Sequence, residues 1–444
     1  MPPSDRFRYD GFAIDPVDAT VVCRYSTREH TFTERFAFEA GGNWDDPAAL
    51  AAARILYLLA GVSYYKTSAA PLIDLGELPT TAMERDFLHG FYVNGLGEFA
   101  YRNGLDLRGL QVEGPDAGAV AANIYTPELG RPLIPFGGGI DSIVTVAALV
   151  TDHPAAALCV VEPTGQRFAA IEYAAAVTGL PVTRIARTID PAVQRSAELG
   201  FLNGHVPVTA IISAAALVAA VLERRDAVVL SNEWSASVPA LVKDGFAVNH
   251  QWSKSEAFEQ AFGELVRSTF GPLLSVFSYL RPRTELWVAQ QFARLTPYHR
   301  AFRSCNRAFH QDPAQRLDHW CGRCDKCCFV DLVLAPFMAR GELEAVFASD
   351  EPLQNAANEE RFRTLLGLGP GVKPFECVGD IDECRAALVL TAQREDRASS
   401  ALVARLRSEL GDAAPTDLAA LLQPRGTHRI PDRYAPADLL VSSR

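Results

Sequence analysis

The hydrophobic rhythm of the chain changes twice. Residues 7–39 carry three short runs, FRYDGFAIDP, ATVVCRYST and HTFTERFAFE, rich in aromatic and β-branched residues and separated by turn residues. That pattern predicts three strands of an antiparallel meander. The rhythm turns helical in DDPAALAAARILYLLAGVSYY (45–65), where Asp46 ahead of Pro47 is a helix-start signal. A second helix is expected from about Met83 to Asn103, and the loop GPDAGAV (114–120) marks the expected domain boundary.

From Arg131 the pattern becomes an alternation. Apolar strand-like runs stand at LIPF, ALCVVEP, VTRIARTI, AVVLSNE and LSVFSYL, and helical stretches start near Ser142, Gln166, Val206, Ser253 and Thr284. Such alternation predicts an α/β fold with a Rossmann-like parallel sheet covered by helices on both faces. Ligands in such a sheet bind at the carboxyl ends of the strands. From about Lys326 onward the chain reads as short helices with polar joints. The expected organisation is an N-terminal α+β segment (1–125), an α/β domain (126–304) and a C-terminal helical region with a cysteine cluster (305–444).

Composition narrows the function. The 444 residues are 48% hydrophobic and 21% charged, with a net charge of −11. No Lys/Arg block stands out, which argues against a nucleic-acid-binding surface. The opening MPPSDRFRYDGF lacks an apolar signal core. The longest apolar stretch, 206–222, is too short and too rich in Ala, Ser and Thr for a membrane span. It is expected to be a buried helix of a cytoplasmic protein without a membrane partner.

Two motifs carry candidate chemistry. In PLIPFGGGIDSIVTVAAL (132–149), three glycines join a predicted strand to a predicted helix. Glycine permits positive φ and close backbone approach, and successive amides at a helix N-terminus make an anion nest. Gly137, Gly138, Gly139 and Ser142 therefore suit a phosphate. Asp141 would repel a bare phosphate and makes sense with a bridging Mg²⁺. No Walker lysine follows, and the GxGxxG spacing is missing. The second motif is CGRCDKCC, preceded by Cys305. Crowded cysteines without a secretion signal read as a metal site, a tetrahedral zinc or alternatively an iron–sulfur cluster. The expected ligands are Cys305, Cys321, Cys324 and Cys327, with Cys328 the spare.

Other polar residues fall where such a sheet builds its site. Glu162, Gln166 and Arg167 follow the second strand of the alternation, as ligand contacts or as a solvated loop. Ser231, Asn232 and Glu233 follow the strand AVVL and are expected to face ligand, with Glu233 a base or metal ligand in preference to a surface charge. His205 is either a base or a capping and packing residue. His250 and Lys254 flank a helix start, where Lys254 either contacts a phosphate or belongs to a solvated face. Tyr64, Tyr65 and Lys66 either contact substrate or belong to the core.

GGGIDS resembles the SGGxDS loop of the PP-loop ATP pyrophosphatases, with Gly137 in the place of the usual serine. SCN (304–306) with CGRCDKC resembles the zinc site of the deazaguanine synthase branch of that superfamily. The segments GVSYYK, GLGEFAYRNGL, IPFGGGIDS, NGHVPVT, SNEWSAS and QWSKS are similar to a further branch, the ATP-dependent UDP-N-acetylmuramoyl-L-alanyl-L-glutamate epimerases. That resemblance implies ATP and Mg²⁺ at a PP-loop domain, a structural Zn²⁺, and a UDP-N-acetylmuramoyl dipeptide as substrate. It implies inversion of a terminal L-Glu through an acyl-adenylate, for peptidoglycan precursors; the positions along the chain give Asp141, Glu233, His205 and Lys254 as the candidate catalytic set. The alternatives are a deazaguanine synthase-like ligase acting on another carboxylate and a non-catalytic nucleotide-binding module.

Overall fold

The computed structural model of the protein describes residues 5–118, 125–310, 312–348, 351–369, 373–415 and 417–440. The end of the expected boundary loop, residues 119 and 120, lies outside them. Among the described residues there are twelve strands: β1 (Phe7–Asp15), β2 (Thr20–Ser26), β3 (Thr31–Phe38), β4 (Leu72–Asp74), β5 (Gln111–Glu113), β6 (Glu128–Pro135), β7 (Ala157–Pro163), β8 (Val182–Thr188), β9 (Arg225–Leu230), β10 (Leu241–Lys243), β11 (Phe246–Val248) and β12 (Ser275–Ser278). Ten of them form one sheet in the order β12-β9-β6-β7-β8-β3-β2-β1-β4-β5, while β10 and β11 pair separately.

The five strands from β12 to β8 are parallel, as the alternation predicts. The meander β1–β2–β3 is antiparallel, also as expected. The sheet does not stop between them. β3 pairs antiparallel with β8, Phe36 opposite Arg187, so both halves share one continuous sheet. Behind that seam Glu34 is fully buried and paired with Arg187.

Side chains alternate across the central strands with period 2. Leu133, Ala157, Cys159, Val228 and Leu230 enter one core, covered by the helices Pro47–Ala60, Val208–Leu222 and Glu256–Phe270. Ile134, Leu158, Val160, Ala227 and Val229 enter the other, covered by Ile140–Leu149, Ala169–Thr178, Glu285–Phe292, Asp325–Leu334 and Ile381–Ala392. Every residue of β9 is buried, which explains the unbroken apolar run AVVL that follows its charged Arg225 and Asp226. Asp46 caps the first helix by accepting from Ala48 N at 2.8 Å. The stretch Pro47–Tyr65 has the length and apolarity of a membrane span, but 83% of it is buried inside the protein. It is a core element.

The helix expected from Met83 to Asn103 is two helices, Ala82–Gly95 and Gly97–Asn103, broken at Leu96. Tertiary contact explains the break. A Cβ on Gly95 would stand 2.9 Å from Pro207, so the chain turns where a neighbouring loop crosses close by. Among the described residues after Lys326 there are helices and no strand.

Candidate active site

Strand order decides where a site can form. The chain runs from β6 to β7 and β8 on one side, then returns to β9 on the other. The loops leaving β6 and β9 therefore part in opposite directions and open a crevice at the carboxyl ends of the strands. Gly138 sits in the loop after β6 at φ +73°, and a Cβ there would stand 2.6 Å from the Ala170 carbonyl. No other residue fits. Gly137 has no atom within 4 Å of a Cβ position, so serine would fit there as readily. Gly139 begins the helix Ile140–Leu149, and Ser142 Oγ donates to the Gly139 carbonyl at 3.0 Å.

The crevice gathers acids. Oxygens of Asp141, Glu233 and Glu285 lie within 4.8 Å of one another. Asp141 comes from the first turn after β6, Glu233 from the loop after β9, and Glu285 from the helix after β12. Burial, then the Glu233 charge, raises the Asp141 carboxyl to about 6. Burial, then Asp141 and Glu233, pushes Glu285 well above the usual carboxylate range. Burial and the same Glu233 push Glu383 up to about 8. Three carboxylates this close cannot all ionise unaided, and their all-oxygen donor set suits a hard divalent cation. Lys254 faces them: the Cys377 thiolate, then Glu233 and Asp141, hold its ammonium charged against the opposing effect of burial.

Arg281, absent from the sequence reading, sets this geometry. Its buried guanidinium pairs with Glu259 at 2.9 Å and donates to the carbonyls of Glu233 at 2.7 Å and Lys254 at 2.6 Å. One side chain thus aims the two opposed charges at each other. Nearby, Asn232 Nδ2 donates to Ser278 Oγ at 3.0 Å, and Ser231 Oγ is buried without a partner. Replacing Arg281 by Met should cost about 3–5 kcal/mol, because Glu259 is left charged and unpaired in the interior. Thermal melting should show the loss, and Arg281→Lys should recover part of the stability but little turnover.

On the N-terminal side, Glu98 joins His205 and His250. His250 Nδ1 hydrogen-bonds to Glu98, and the two imidazole rings lie 4.1 Å apart. Burial opposes a charge on His250, but its bonds to Cys377 and Glu98 prevail and raise it to about 9. Burial, then charged His250, lowers His205 to about 4. Glu98 lies inside the quoted GLGEFAYRNGL, but nothing local marked it. Lys66 Nζ donates to Asn203 Oδ1 at 2.7 Å and so anchors the loop before His205. Tyr64 and Tyr65 are fully buried. Tyr64 OH accepts from Asp190 N at 3.2 Å and Tyr65 OH donates to the Ala70 carbonyl at 2.9 Å, which is the core reading.

Glu162, Gln166 and Arg167 are not brought to the acids. Glu162 stands near the end of β7, Gln166 and Arg167 follow it, and all three line a cleft with Glu39 and Arg184. Glu162 accepts from Phe168 N and pairs with Arg184, each at 3.0 Å, so it organises its own loop. Gln166 is held by Arg316, and Arg167 lies 3.7 Å from Glu172.

The four cysteines converge. Sulfur separations are 3.7 Å for Cys305–Cys321, 3.6 Å for Cys305–Cys324, and 3.5 Å for both Cys321–Cys327 and Cys324–Cys327. A tetrahedral zinc about 2.3 Å from each sulfur would set edges of about 3.8 Å, so the donor set fits. Cys328 is the next residue on the helix and points into the core.

Fold and site together define an α/β protein with an acid-lined crevice at its strand switch and a cluster of four cysteines beside it. The profile of the MurL N-terminal domain matches residues 2–279, and that of the MurL C-terminal domain matches residues 301–421. The chain belongs to the MurL family. It is 40% identical over 396 residues to the UDP-N-acetyl-alpha-D-muramoyl-L-alanyl-L-glutamate epimerase of Xanthomonas oryzae pv. oryzae, covering 88% of this chain and 86% of that protein. It is 39% identical over 387 residues to the enzyme of the same name from Salinispora tropica, covering 86% and 82%. For the Micromonospora relative, also of that name, the figures are 35% over 445 residues, 98% and 97%. No solved structure matches the chain.

Proposed function

We propose that the protein inverts the terminal L-Glu of UDP-N-acetylmuramoyl-L-Ala-L-Glu to D-Glu, with ATP as co-substrate, for peptidoglycan precursor synthesis. The observation that carries this reading is the acid cluster beside a glycine loop, in a chain whose relatives bear that epimerase name. An α-proton beside a free carboxylate resists removal, because the enolate would carry a second negative charge. Conversion of the carboxylate to an acyl-adenylate removes that charge and acidifies the Cα–H.

In this reading the α/β part is of the PP-loop type. Amides of Gly137, Gly138 and Gly139 receive the departing pyrophosphate. Asp141, Glu233 and Glu285 would hold Mg²⁺, which supplies charge neutralisation when bound. Lys254 offers its ammonium to the negative charge that forms. Cys305, Cys321, Cys324 and Cys327 would hold a structural Zn²⁺ that staples the loop to the helix Asp325–Leu334. The N-terminal segment, which reaches the site through Glu98, would recognise the nucleotide-sugar.

Incubation with UDP-N-acetylmuramoyl-L-Ala-L-Glu, ATP and Mg²⁺ in D₂O should yield D-Glu deuterated at the α-carbon, with AMP and pyrophosphate. Leaving out ATP should stop both inversion and exchange. Formation of ADP, or AMP with glutamate that stays L and undeuterated, would show another reaction.

A further inference from the structure

One reactive group beside the crevice has no part in the scheme so far. Cys377 lies outside the four-thiolate cluster, some fifty residues beyond it in the chain, and is only partly buried. Four separate stretches fix its segment. Phe375 packs against Tyr101, with ring centroids 5.8 Å apart, and beneath the Arg102 guanidinium at 4.9 Å. Asn306 Nδ2 donates to the Glu376 carboxylate at 2.8 Å, Lys326 Nζ donates to the Cys377 carbonyl, and Gln251 Nε2 donates to the Val378 carbonyl at 3.4 Å. The thiol itself is held between cations. Lys254 Nζ donates to its sulfur at 3.4 Å, and His250, braced by Glu98, is the second cation whose influence favours the ionised sulfur.

We propose that Cys377 is a catalytic acid–base residue of the epimerisation, its sulfur exchanging a proton with the glutamyl α-carbon on one face of the planar intermediate. The inference rests on the epimerase reading above. A structural cysteine is ordinarily apolar and buried, whereas this one sits in a frame of charges that stabilises a thiolate. Burial alone would raise the thiol, but Lys254, the His250 hydrogen bond and Lys326 outweigh it and bring it down to about 6. The same Lys254 also lies in the field of Glu233 and Asp141, which puts the sulfur on the side of the crevice where the activated glutamyl group would lie.

In the step itself the thiolate takes the α-proton. The Cα–H bond breaks, an S–H bond forms, and the electron pair moves onto the carbonyl oxygen as an enolate. A Brønsted acid on the opposite face then protonates Cα, the carbonyl re-forms, and exchange with water resets both groups before the next turnover. His250 and Glu98 are positioning residues that keep the sulfur ionised.

The test separates activation from proton transfer, in full-length Cys377→Ala and the near-isosteric Cys377→Ser. Substrate-dependent ATP–pyrophosphate exchange should stay within about threefold of wild type. Deuterium uptake at the α-carbon and formation of D-Glu should fall by at least a hundredfold, within the range of general acid–base catalysis of about 10²–10⁴. Inversion within tenfold of wild type in either folded variant would overturn the proposal. So would a parallel fall of pyrophosphate exchange and inversion, which would mark Cys377 as structural. Absence of substrate-dependent exchange in the wild type would instead fail the epimerase reading itself.

Discussion

Asp141→Asn is expected to lower turnover by about 10²–10³-fold or more while leaving the protein at least as stable as wild type. The two outcomes share one cause. Asp141, Glu233 and Glu285 come within 4.8 Å of one another at the end of three neighbouring strands. In the absence of a cation they repel, and burial together with Glu233 holds the Asp141 carboxyl at about 6. Asparagine keeps the shape and removes the charge, so the repulsion is relieved. The same change removes one of three anionic oxygen donors, and with it the electrostatic reason for a divalent cation to bind. Thermal melting with and without Mg²⁺ reads both effects. Wild type should gain stability with added Mg²⁺, because a ligand that binds only the folded state stabilises it. The variant should melt no lower in buffer and should not respond to Mg²⁺. An inactive variant that melts far lower would show that Asp141 has a structural role instead.

Cys324→Ser should do the opposite, weakening the fold without redirecting the chemistry. The four sulfurs stand at the corners of a near-regular tetrahedron, and Cys324 also caps the helix Asp325–Leu334, its sulfur accepting from Cys327 N at 3.4 Å. That helix packs against Ile381–Ala392, which carries the buried Glu383 next to the crevice. Binding of a structural zinc is worth about 10–16 kcal/mol in small zinc domains, and losing one thiolate forfeits much of it. Elemental analysis should fall from one zinc per chain to none, with a drop in melting temperature on the order of 10 °C or loss of soluble protein. Any folded fraction should retain wild-type substrate choice. Purified wild type that contains no zinc, or that shows an iron–sulfur absorption band, would overturn the zinc assignment.

Much of this protein is written locally in its chain. The parallel strands, the meander and the buried helix Val208–Leu222 follow from patterns that repeat every two or every 3.6 residues, because a strand or a helix face is set by neighbours in sequence. The glycine loop and CGRCDKC are legible for the same reason. A turn at positive φ and a tetrahedral thiolate set depend on close spacing, which the chain displays directly. Strand order is different. Nothing local states that β9 returns beside β6, or that β3 joins β8 and makes one sheet of two halves. Those pairings depend on which apolar faces can be buried together, a property of the whole fold. They separate Glu162, Gln166 and Arg167 from the crevice, although their positions after a strand resemble that of Glu233. They also bring in Glu98, Arg281 with Glu285, and Cys377 from three distant stretches, of which only that of Glu98 lies in a segment singled out in the sequence. The sequence by itself determined the elements and the chemical types on offer. Only the tertiary structure decided which charges meet, because electrostatic and hydrogen-bonding partners are chosen by distance in space and not by separation along the chain.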